Sequence, residues 1–397
     1  MTALFETAVR VGAASRTTID TPALVLDLDR FEHNVATMAR FCRDAGLALR
    51  PHAKTHKSST VARRQIAAGA IGIACATIEE AEVMVAAGLP GVLLTSPLVS
   101  DGKIARLAAL LRQAADVMVV ADDAGNVARL DAAAARIGRR LGVLVDLDLG
   151  QKRVGVPGIA EGVALARAIA AADNLRFAGV QTYAGHLQHV AGHAERAAAT
   201  RAALDSARAL VAALGEAGLP PAIVTGGGTG TFRIDARGGD DETGEGAWTS
   251  PLTELQPGSY VVMDAEYADI QFAQDADWPF VPALTVQVTV ISTHVPGQVT
   301  TDGGSKAFSL DGPVPRIVGP LAGGAYAFAG DEYGRVGLPP GVAPPPLGSR
   351  IECIVPHCDP TIALYDEMVV VRGDAVVAVW PIDARGRRAL PRVPPLR

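Results

Sequence analysis

The strongest constraint on the fold is a regular alternation of short apolar runs with amphipathic stretches between residues 47 and 258. The apolar runs are rich in Val, Ile, Leu and Ala, as is typical of buried strands, and the stretches between them place apolar residues at helical spacing. The predicted strands cover residues 47–54, 70–76, 91–96, 116–122, 142–149, 176–183, 222–225 and 252–256. Eight such units predict an α/β fold, a (β/α)8 barrel. An open doubly wound sheet is the alternative, but no GxGxxG turn follows the first strand.

Local patterns place the helices between these strands. Residues 30–45 have Phe31, Val35, Met38 and Cys42 on one helical face. The segment TIEE (residues 77–80) is a capping box that opens a helix ending at Gly88. The other predicted helices cover residues 60–68, 103–114, 126–137, 159–172 and 193–217.

After residue 260 helical periodicity fades, and Pro and Gly cluster at residues 313–320 and 339–348. Short β-rich runs replace it, at residues 284–294, 299–301, 351–355, 367–371 and 375–380. This pattern of short β-rich runs separated by Pro and Gly predicts a separate, mostly β domain. An additional strand at residues 21–29 is left over from the barrel, and we expect it to pair into this β domain. The predicted division is therefore a barrel at residues 30–265 and a β domain formed by residues 1–29 and 266–397.

Composition narrows the class of protein. The 397-residue chain has a net charge of −6 and no long basic run, so we expect no nucleic-acid partner. Its four cysteines form no CxxC pair, which favours a reducing compartment. The first sixteen residues contain no hydrophobic signal region, and no apolar run is long enough to span a membrane. These features predict a soluble, cytoplasmic protein without membrane association.

The segment RPHAKTHK (residues 50–57) crowds two lysines and two histidines together at the end of a predicted strand. Neighbouring positive charges lower the pKa of a lysine, and a neutral lysine can attack a carbonyl group. The alternative interpretation is a solvated basic turn.

Glycine-containing segments follow two other predicted strands, TGGG at residues 225–228 and PGS at residues 257–259. Such turns let backbone N–H groups approach a phosphate closely, although a tight turn alone also explains TGGG. Since a barrel gathers its strand ends at one face, the lysine and the glycine segments should meet there. A reactive lysine beside a phosphate site is the arrangement that pyridoxal 5′-phosphate requires.

These motifs resemble those of the alanine racemase-type (fold type III) pyridoxal phosphate enzymes, in the branch of D-threonine aldolase, 3-hydroxy-D-aspartate aldolase and D-serine dehydratase. The resemblance spans nearly the whole chain. The matching segments are TPALVLDLD (21–29), RPHAKTHK (50–57), VDLDLGQKRVGV (145–156), QTYAGHLQH (181–189), TGGGTGT (225–231), ELQPGSYVVMD (254–264) and PHCDPT (356–361). It implies an enzyme that binds pyridoxal 5′-phosphate and, since sites of this fold type are completed across a dimer, a homodimer.

The resemblance also implies roles for individual residues. Lys54 would hold the cofactor, with Lys57 as the alternative, and His189 would be the acid or base of the histidine-containing loop. Gln256 falls where alanine racemase has an arginine facing the pyridine nitrogen. The remaining cofactor-binding positions would be Arg153 near the phenolic oxygen, Tyr183 on the pocket wall, and Thr225, Gly227, Gly258 and Ser259 at the phosphate.

His357 and Asp359 are the candidate metal ligands. In an extended segment, residues two apart point the same way, so both side chains could reach one cation. D-Serine dehydratases of this branch have His-x-Cys here, whereas this chain has aspartate at the third position. Imidazole with carboxylate suits Mn²⁺ or Mg²⁺ and favours an aldolase over a dehydratase.

The resulting hypothesis is a retro-aldol cleavage of a D-configured 3-hydroxy amino acid to glycine and an aldehyde. Three alternatives remain open at this point: a D-serine or 3-hydroxyaspartate dehydratase, an amino-acid racemase, and a non-catalytic pyridoxal phosphate carrier. A racemase needs a second base that we do not identify in the sequence, and the PHCD segment argues against a carrier.

Overall fold

A computed structural model describes residues 14–236, 248–273 and 276–386. The N-terminal part of the described chain alternates strands and helices. In chain order these elements are β1 (Ala23–Asp27), α1 (Leu28–Asp44), β2 (Ala48–Leu49), α2 (Ser59–Ala67), β3 (Ile73–Cys75), α3 (Ile78–Ala86), β4 (Val92–Leu94), α4 (Asp101–Gln113), β5 (Met118–Ala121), α5 (Ala124–Ala135), β6 (Leu141–Leu147), α6 (Ile159–Ala171), β7 (Leu175–Thr182), α7 (His193–Glu216), β8 (Ile223–Gly226), α8 (Phe232–Asp235), β9 (Glu254–Leu255) and α9 (Ala265–Ala268).

The remaining elements are mostly strands. They are β10 (Leu284–Ser292), β11 (Gln298–Thr301), β12 (Arg316–Val318), β13 (Ala325–Phe328), β14 (Gly334–Gly337), β15 (Arg350–Ile354), α10 (Cys358–Ile362), β16 (Glu367–Arg372) and β17 (Ala375–Pro381). Among the described residues, no helix is long and apolar enough to cross a membrane.

Eight parallel strands form the barrel, in the order β2-β9-β8-β7-β6-β5-β4-β3. The ring closes between β2 and β3, where His52 pairs with Ala74 and the Ala74 N–H donates to the Pro51 carbonyl at 2.9 Å. All residues of β6 are buried, as expected for a strand covered on both faces. The predicted face of α1 packs inward, with Phe31 and Met38 fully buried. The (β/α)8 prediction is thus confirmed over the open sheet.

The second sheet has the order β13-β14-β11-β10-β1-β16-β17, with β15 beside β10 and β12 beside β15. The N-terminal strand β1 runs antiparallel to β10 and parallel to β16, with Ala23 opposite Gln287 and Val25 opposite Val369. Strand β1 therefore belongs to the second sheet, as expected for a strand left over from the barrel.

Several predicted boundaries differ from the structure. The strand predicted at residues 47–54 has only Ala48–Leu49 in regular pairing, because the chain after it turns toward β3. Strands β12, β13 and β14 were not predicted: they are short, and their Gly and Pro content hides the alternation of strand residues. The sequence also predicts a loop rich in Gly and acidic residues at 238–246, and this stretch lies outside the described residues.

The two sheets are joined close to the barrel mouth. The backbone N–H of Ala265 donates to the Val355 carbonyl at 3.0 Å, and that of Glu266 donates to Pro356 at 3.2 Å. The buried Asp264 carboxylate caps α9 and also accepts from the N–H of Cys358 at 2.9 Å. These bonds hold α10, with its His357 and Asp359, against the carboxyl ends of the barrel strands.

Candidate active site

A cavity of about 420 Å³ lies at the carboxyl ends of the barrel strands. Residues at or after the carboxyl ends of β2, β3, β4, β6, β7, β8 and β9 form its wall together with Tyr267 of α9, and one residue of the β-sheet domain completes it. The lining residues are His52, Lys54, Ala76, Thr95, Ser96, Gln151, Arg153, Val154, Gln181, Tyr183, Gly185, Gln188, His189, Gly228, Thr229, Gln256, Gly258, Ser259, Tyr267 and His357. The face is the one that a (β/α)8 barrel uses for chemistry.

Lys54 reaches this cavity and forms an ion pair with Asp359. Burial alone would lower the pKa of Lys54, but the Asp359 carboxylate raises it above its usual value. The pKa of Asp359, which burial would raise, falls well below its usual range beside the Lys54 ammonium. The predicted lowering of the Lys54 pKa is therefore wrong. The sequence could not reveal a carboxylate that arrives from the other domain.

The His52 side chain contacts the backbone of Lys54. The backbone N–H of Lys54 donates to Nδ1 of His52 at 3.2 Å, so the ring carries its proton on Nε2. Nε2 lies 3.0 Å from Oγ1 of Thr95, whose hydroxyl donates to the Cys75 carbonyl at 3.2 Å. Burial and the Lys54 charge lower the pKa of His52 well below its usual value. This neutral ring therefore helps to fix the backbone at Lys54.

Lys57, the alternative position for the cofactor, faces elsewhere. Its ammonium pairs with the buried carboxylate of Glu80 at the start of α3, and it does not line the cavity. Of the two lysines in the motif, only Lys54 is placed to reach a ligand in the cavity.

The glycine segments after β8 and β9 lie side by side on the cavity wall. The N–H of Tyr260 donates to Oγ1 of Thr229 at 3.0 Å, which joins the two segments. A Cβ atom on Gly228 would lie 2.4 Å from Oε1 of Gln188, and one on Gly258 would lie 2.5 Å from Oγ1 of Thr55. There is no room for side chains, so the backbone itself forms the wall, as a phosphate site requires.

Two of the predicted phosphate residues lie behind this wall. Thr225 is fully buried, and its Oγ1 accepts a hydrogen bond from Nε2 of Gln256 at 2.7 Å. Gly227 adopts φ +72 in the turn, where a Cβ would lie 2.5 Å from Asp235. Gly258 and Ser259 line the cavity as expected, beside Gly228 and Thr229.

Arg153, Tyr183 and Gln256 all line the cavity. The Arg153 guanidinium lies 5.5 Å from the centre of the Tyr183 ring, a cation–π distance that holds the arginine at the wall. Gln256 is anchored by its bond to Thr225. The structure thus brings three residues from separate loops to one site.

His189 also lines the cavity, with the centre of its ring 4.4 Å from that of Tyr267. Its Nε2 is buried and has no hydrogen-bond partner; the nearest acidic atom, Oε2 of Glu266, is 3.7 Å away. Burial and the charges of His357 and Lys54 lower the pKa of His189 to about 4. At neutral pH the ring is therefore an uncharged proton acceptor.

His357 and Asp359 do not occupy a continuous extended segment. His357 is the extended N-cap residue of α10, whereas Asp359 lies in the first turn of that helix. Nδ1 of His357 lies 3.0 Å from Oδ2 of Asp311, and Asp359 faces Lys54 and Ser259. The period-two argument for a shared cation is therefore wrong in its geometry. Within the described ranges, no group of three or more potential ligands is arranged to hold a metal ion.

Several site residues were missed by the sequence reasoning. Gly228 and Thr229 stand within the TGGGTGT segment, one and two positions beyond Gly227, the last residue selected from it. Glu266 and Asp311 belong to no motif. Glu266 reaches His357 because α9 of the barrel packs against α10, and Asp311 reaches it because the loop between β11 and β12 folds onto the same turn.

Comparison with known proteins identifies two matching family models. Residues 26–263 match the alanine racemase N-terminal domain, and residues 283–371 match a putative serine dehydratase domain. The two matches correspond to the barrel and to most of the second sheet.

Similar proteins cover almost the whole chain. A D-threonine aldolase from an Arthrobacter species is 38% identical over 93% of both chains. A 3-hydroxy-D-aspartate aldolase from Paracoccus denitrificans (strain Pd 1222) is 36% identical, also over 93% of both chains. The crystal structure of D-threonine aldolase from Filomicrobium marinum superposes with a TM-score of 0.88 at 39% identity, covering 95% of this chain and 98% of that one.

Proposed function

The chain belongs to the alanine racemase-type (fold type III) family of pyridoxal 5′-phosphate enzymes, and on that basis we propose that it is an aldolase for D-configured 3-hydroxy amino acids. The products would be glycine and an aldehyde. The observation that supports this most is that Lys54, His189 and His357 line one cavity although they come from distant parts of the chain.

Pyridoxal phosphate, when bound, supplies an electron sink for the bond cleaved at the amino-acid Cα. The cavity fits this group, since Lys54 provides an amine and the backbone of Gly228 and Gly258 provides a wall free of side chains. Arg153, Tyr183 and Gln256 would orient the ring, and Ser259 with Thr229 would complete the phosphate site.

His189 is the residue we propose to take the proton from the substrate 3-hydroxyl. The His189 ring lines the cavity, its buried Nε2 has no hydrogen-bond partner, and burial keeps the ring neutral by lowering its pKa to about 4. Tyr267 packs against the ring and limits its rotation. A neutral imidazole held in this way acts as a general base.

We also propose a divalent cation, Mn²⁺ or Mg²⁺, held by His357 and Asp359. Its chemistry would be that of a Lewis acid for the hydroxyl group. The donor set of one imidazole and one carboxylate, with water completing the coordination, fits a hard cation better than a structural zinc site. The Asp359 side chain contacts Lys54 and Ser259, two residues that line the cavity.

A dehydratase is the second candidate, because residues 283–371 match a putative serine dehydratase domain. Such an enzyme would release ammonia and a 2-oxo acid instead of glycine and an aldehyde.

The deciding experiment is incubation of the purified protein with D-threonine, pyridoxal phosphate and Mn²⁺. We expect glycine and acetaldehyde in equal amounts, little reaction with L-threonine, and a loss of turnover after chelation. Release of ammonia in place of acetaldehyde would establish the dehydratase, and loss of optical purity in the remaining substrate would indicate a racemase. Comparing D-threonine with D-phenylserine and 3-hydroxy-D-aspartate would define the preferred side chain.

Three further proposals concern the whole protein. The barrel is proposed to comprise residues 30–265, with residues 1–29 and 266–397 forming the β domain. A cytoplasmic location is supported by four cysteines that are all buried and unpaired. A homodimer is supported by apolar side chains exposed near the cavity, including Val154 on its lining and Leu310 beside Asp311.

A further inference from the structure

The loop between β11 and β12 is clamped onto the turn that carries His357. Oγ of Ser309 donates to the His357 carbonyl at 3.2 Å, and the His357 N–H donates back to that Oγ at 3.3 Å. The Ser309 N–H donates to Oγ1 of Thr361 at 3.1 Å. Because Ser309 and Thr361 are both buried, these bonds fix the loop relative to α10.

The clamp places a carboxylate against one nitrogen of the His357 ring. Oδ2 of Asp311 lies 3.0 Å from Nδ1, whereas Oε2 of Glu266 is 3.8 Å from the same atom. A carboxylate only accepts hydrogen bonds, so Nδ1 carries the proton and donates it to Asp311. A Cβ atom on the next residue, Gly312, would lie 3.5 Å from Cβ of His357, so the loop backbone runs close to the base of that side chain.

We propose that Asp311 is a positioning residue for the metal ligand His357. By accepting the Nδ1 proton it leaves the lone pair of Nε2 free for a divalent cation and fixes the orientation of the ring. Histidine ligands in metalloproteins are commonly held by a carboxylate in this way. The inference rests on the proposed function, in which His357 binds the cation.

The competing explanation is an ordinary surface ion pair. The Asp311 side chain is 57% exposed, and exposed pairs contribute little to stability. The two explanations differ in one measurable respect: only a positioning role changes the affinity for the cation without changing the stability of the metal-free protein.

The test compares Mn²⁺ binding by titration calorimetry and by electron paramagnetic resonance in the chelator-treated, pyridoxal phosphate-loaded protein. For Asp311→Ala we expect affinity to fall by about 10- to 100-fold. Asp311→Asn should lose less, since its amide oxygen still accepts the Nδ1 proton. Asp331→Asn, which removes an exposed carboxylate from another loop, is the matched control and should bind Mn²⁺ as the unmodified protein does.

The melting temperature of each variant is also measured without metal, which shows whether a substitution changes the stability of the protein. The proposal is overturned if Asp311→Ala binds Mn²⁺ within about twofold of the unmodified protein. It is also overturned if the loss of affinity is matched in the control or accompanies a lower metal-free melting temperature. Because Mn²⁺ binding is measured without substrate, its outcome does not depend on the aldolase assay. A protein that fails to cleave D-threonine can therefore still support or overturn the role of Asp311. An unmodified protein that cleaves D-threonine but binds no Mn²⁺ would overturn the role of Asp311 and spare the aldolase proposal.

Discussion

Lys54 and Lys57 belong to the same basic motif but have different environments. Lys54 faces the cavity and meets Asp359, whereas Lys57, with φ +48, directs its ammonium toward Glu80. The two lysines look alike in the sequence. The backbone conformation directs Lys54 to the cavity and Lys57 to a structural ion pair.

Borohydride reduction of the pyridoxal phosphate-loaded protein, followed by peptide mapping, should label Lys54. We expect Lys54→Ala to abolish turnover and the visible absorption of the bound cofactor, because no other lysine lines the described cavity. Lys57→Arg is the matched control, since its guanidinium can still pair with Glu80. A label on Lys57, or an absorbing and active Lys54→Ala protein, would contradict this assignment.

At the scale of single elements, α3 was the most predictable from local sequence. Oγ1 of Thr77 accepts from the N–H of Glu80 at 3.3 Å, and Oε2 of Glu80 accepts from the N–H of Thr77 at 3.4 Å. This is the capping box that the TIEE segment predicted. Its determinants lie within one helical turn, so no distant contact was needed to infer it.

Thr77→Ala should lower the free energy of unfolding by about 1 kcal/mol, because the N–H of Glu80 in the first turn of α3 loses its acceptor. Urea denaturation measured by circular dichroism provides the value. Thr77→Ser keeps the hydroxyl and should remain close to the unmodified protein. Equal losses in the two variants would show that the methyl group, and not the cap, is responsible.

At the scale of the whole molecule, Asp264 links the barrel to the second sheet. Its carboxylate, fully buried, accepts from the N–H groups of Tyr267 and Cys358, both at 2.9 Å. One side chain therefore holds α9 of the barrel against α10, and with it the proposed ligands His357 and Asp359.

Asp264→Ala is expected to lower the free energy of unfolding by about 1–3 kcal/mol, since two buried N–H groups lose their partner. It should also weaken Mn²⁺ binding, because α10 is no longer fixed at the mouth of the barrel. Denaturation and calorimetry measure the two effects, and Asp20→Ala at an exposed position is the control. A destabilised protein with undiminished Mn²⁺ affinity would show that this link is not needed for the metal centre.

Some features of this protein follow from sequence alone because their causes are local or periodic. The apolar alternation predicted the barrel, and the position of the TPALVLDLD strand outside it predicted the pairing of β1 in the second sheet. The short strand β12 was not predicted, because three residues are too few to show a strand pattern. It is defined by its pairing with β15.

The electrostatics of the site were decided by tertiary structure. Asp359 reaches Lys54, and Asp311 reaches His357, across long separations in the chain. These contacts raise the pKa of Lys54 where the sequence indicated a lowered one, and they fix the proton of His357 on Nδ1. Charges interact through space, so a motif specifies which groups are present, and the tertiary fold determines which of them meet.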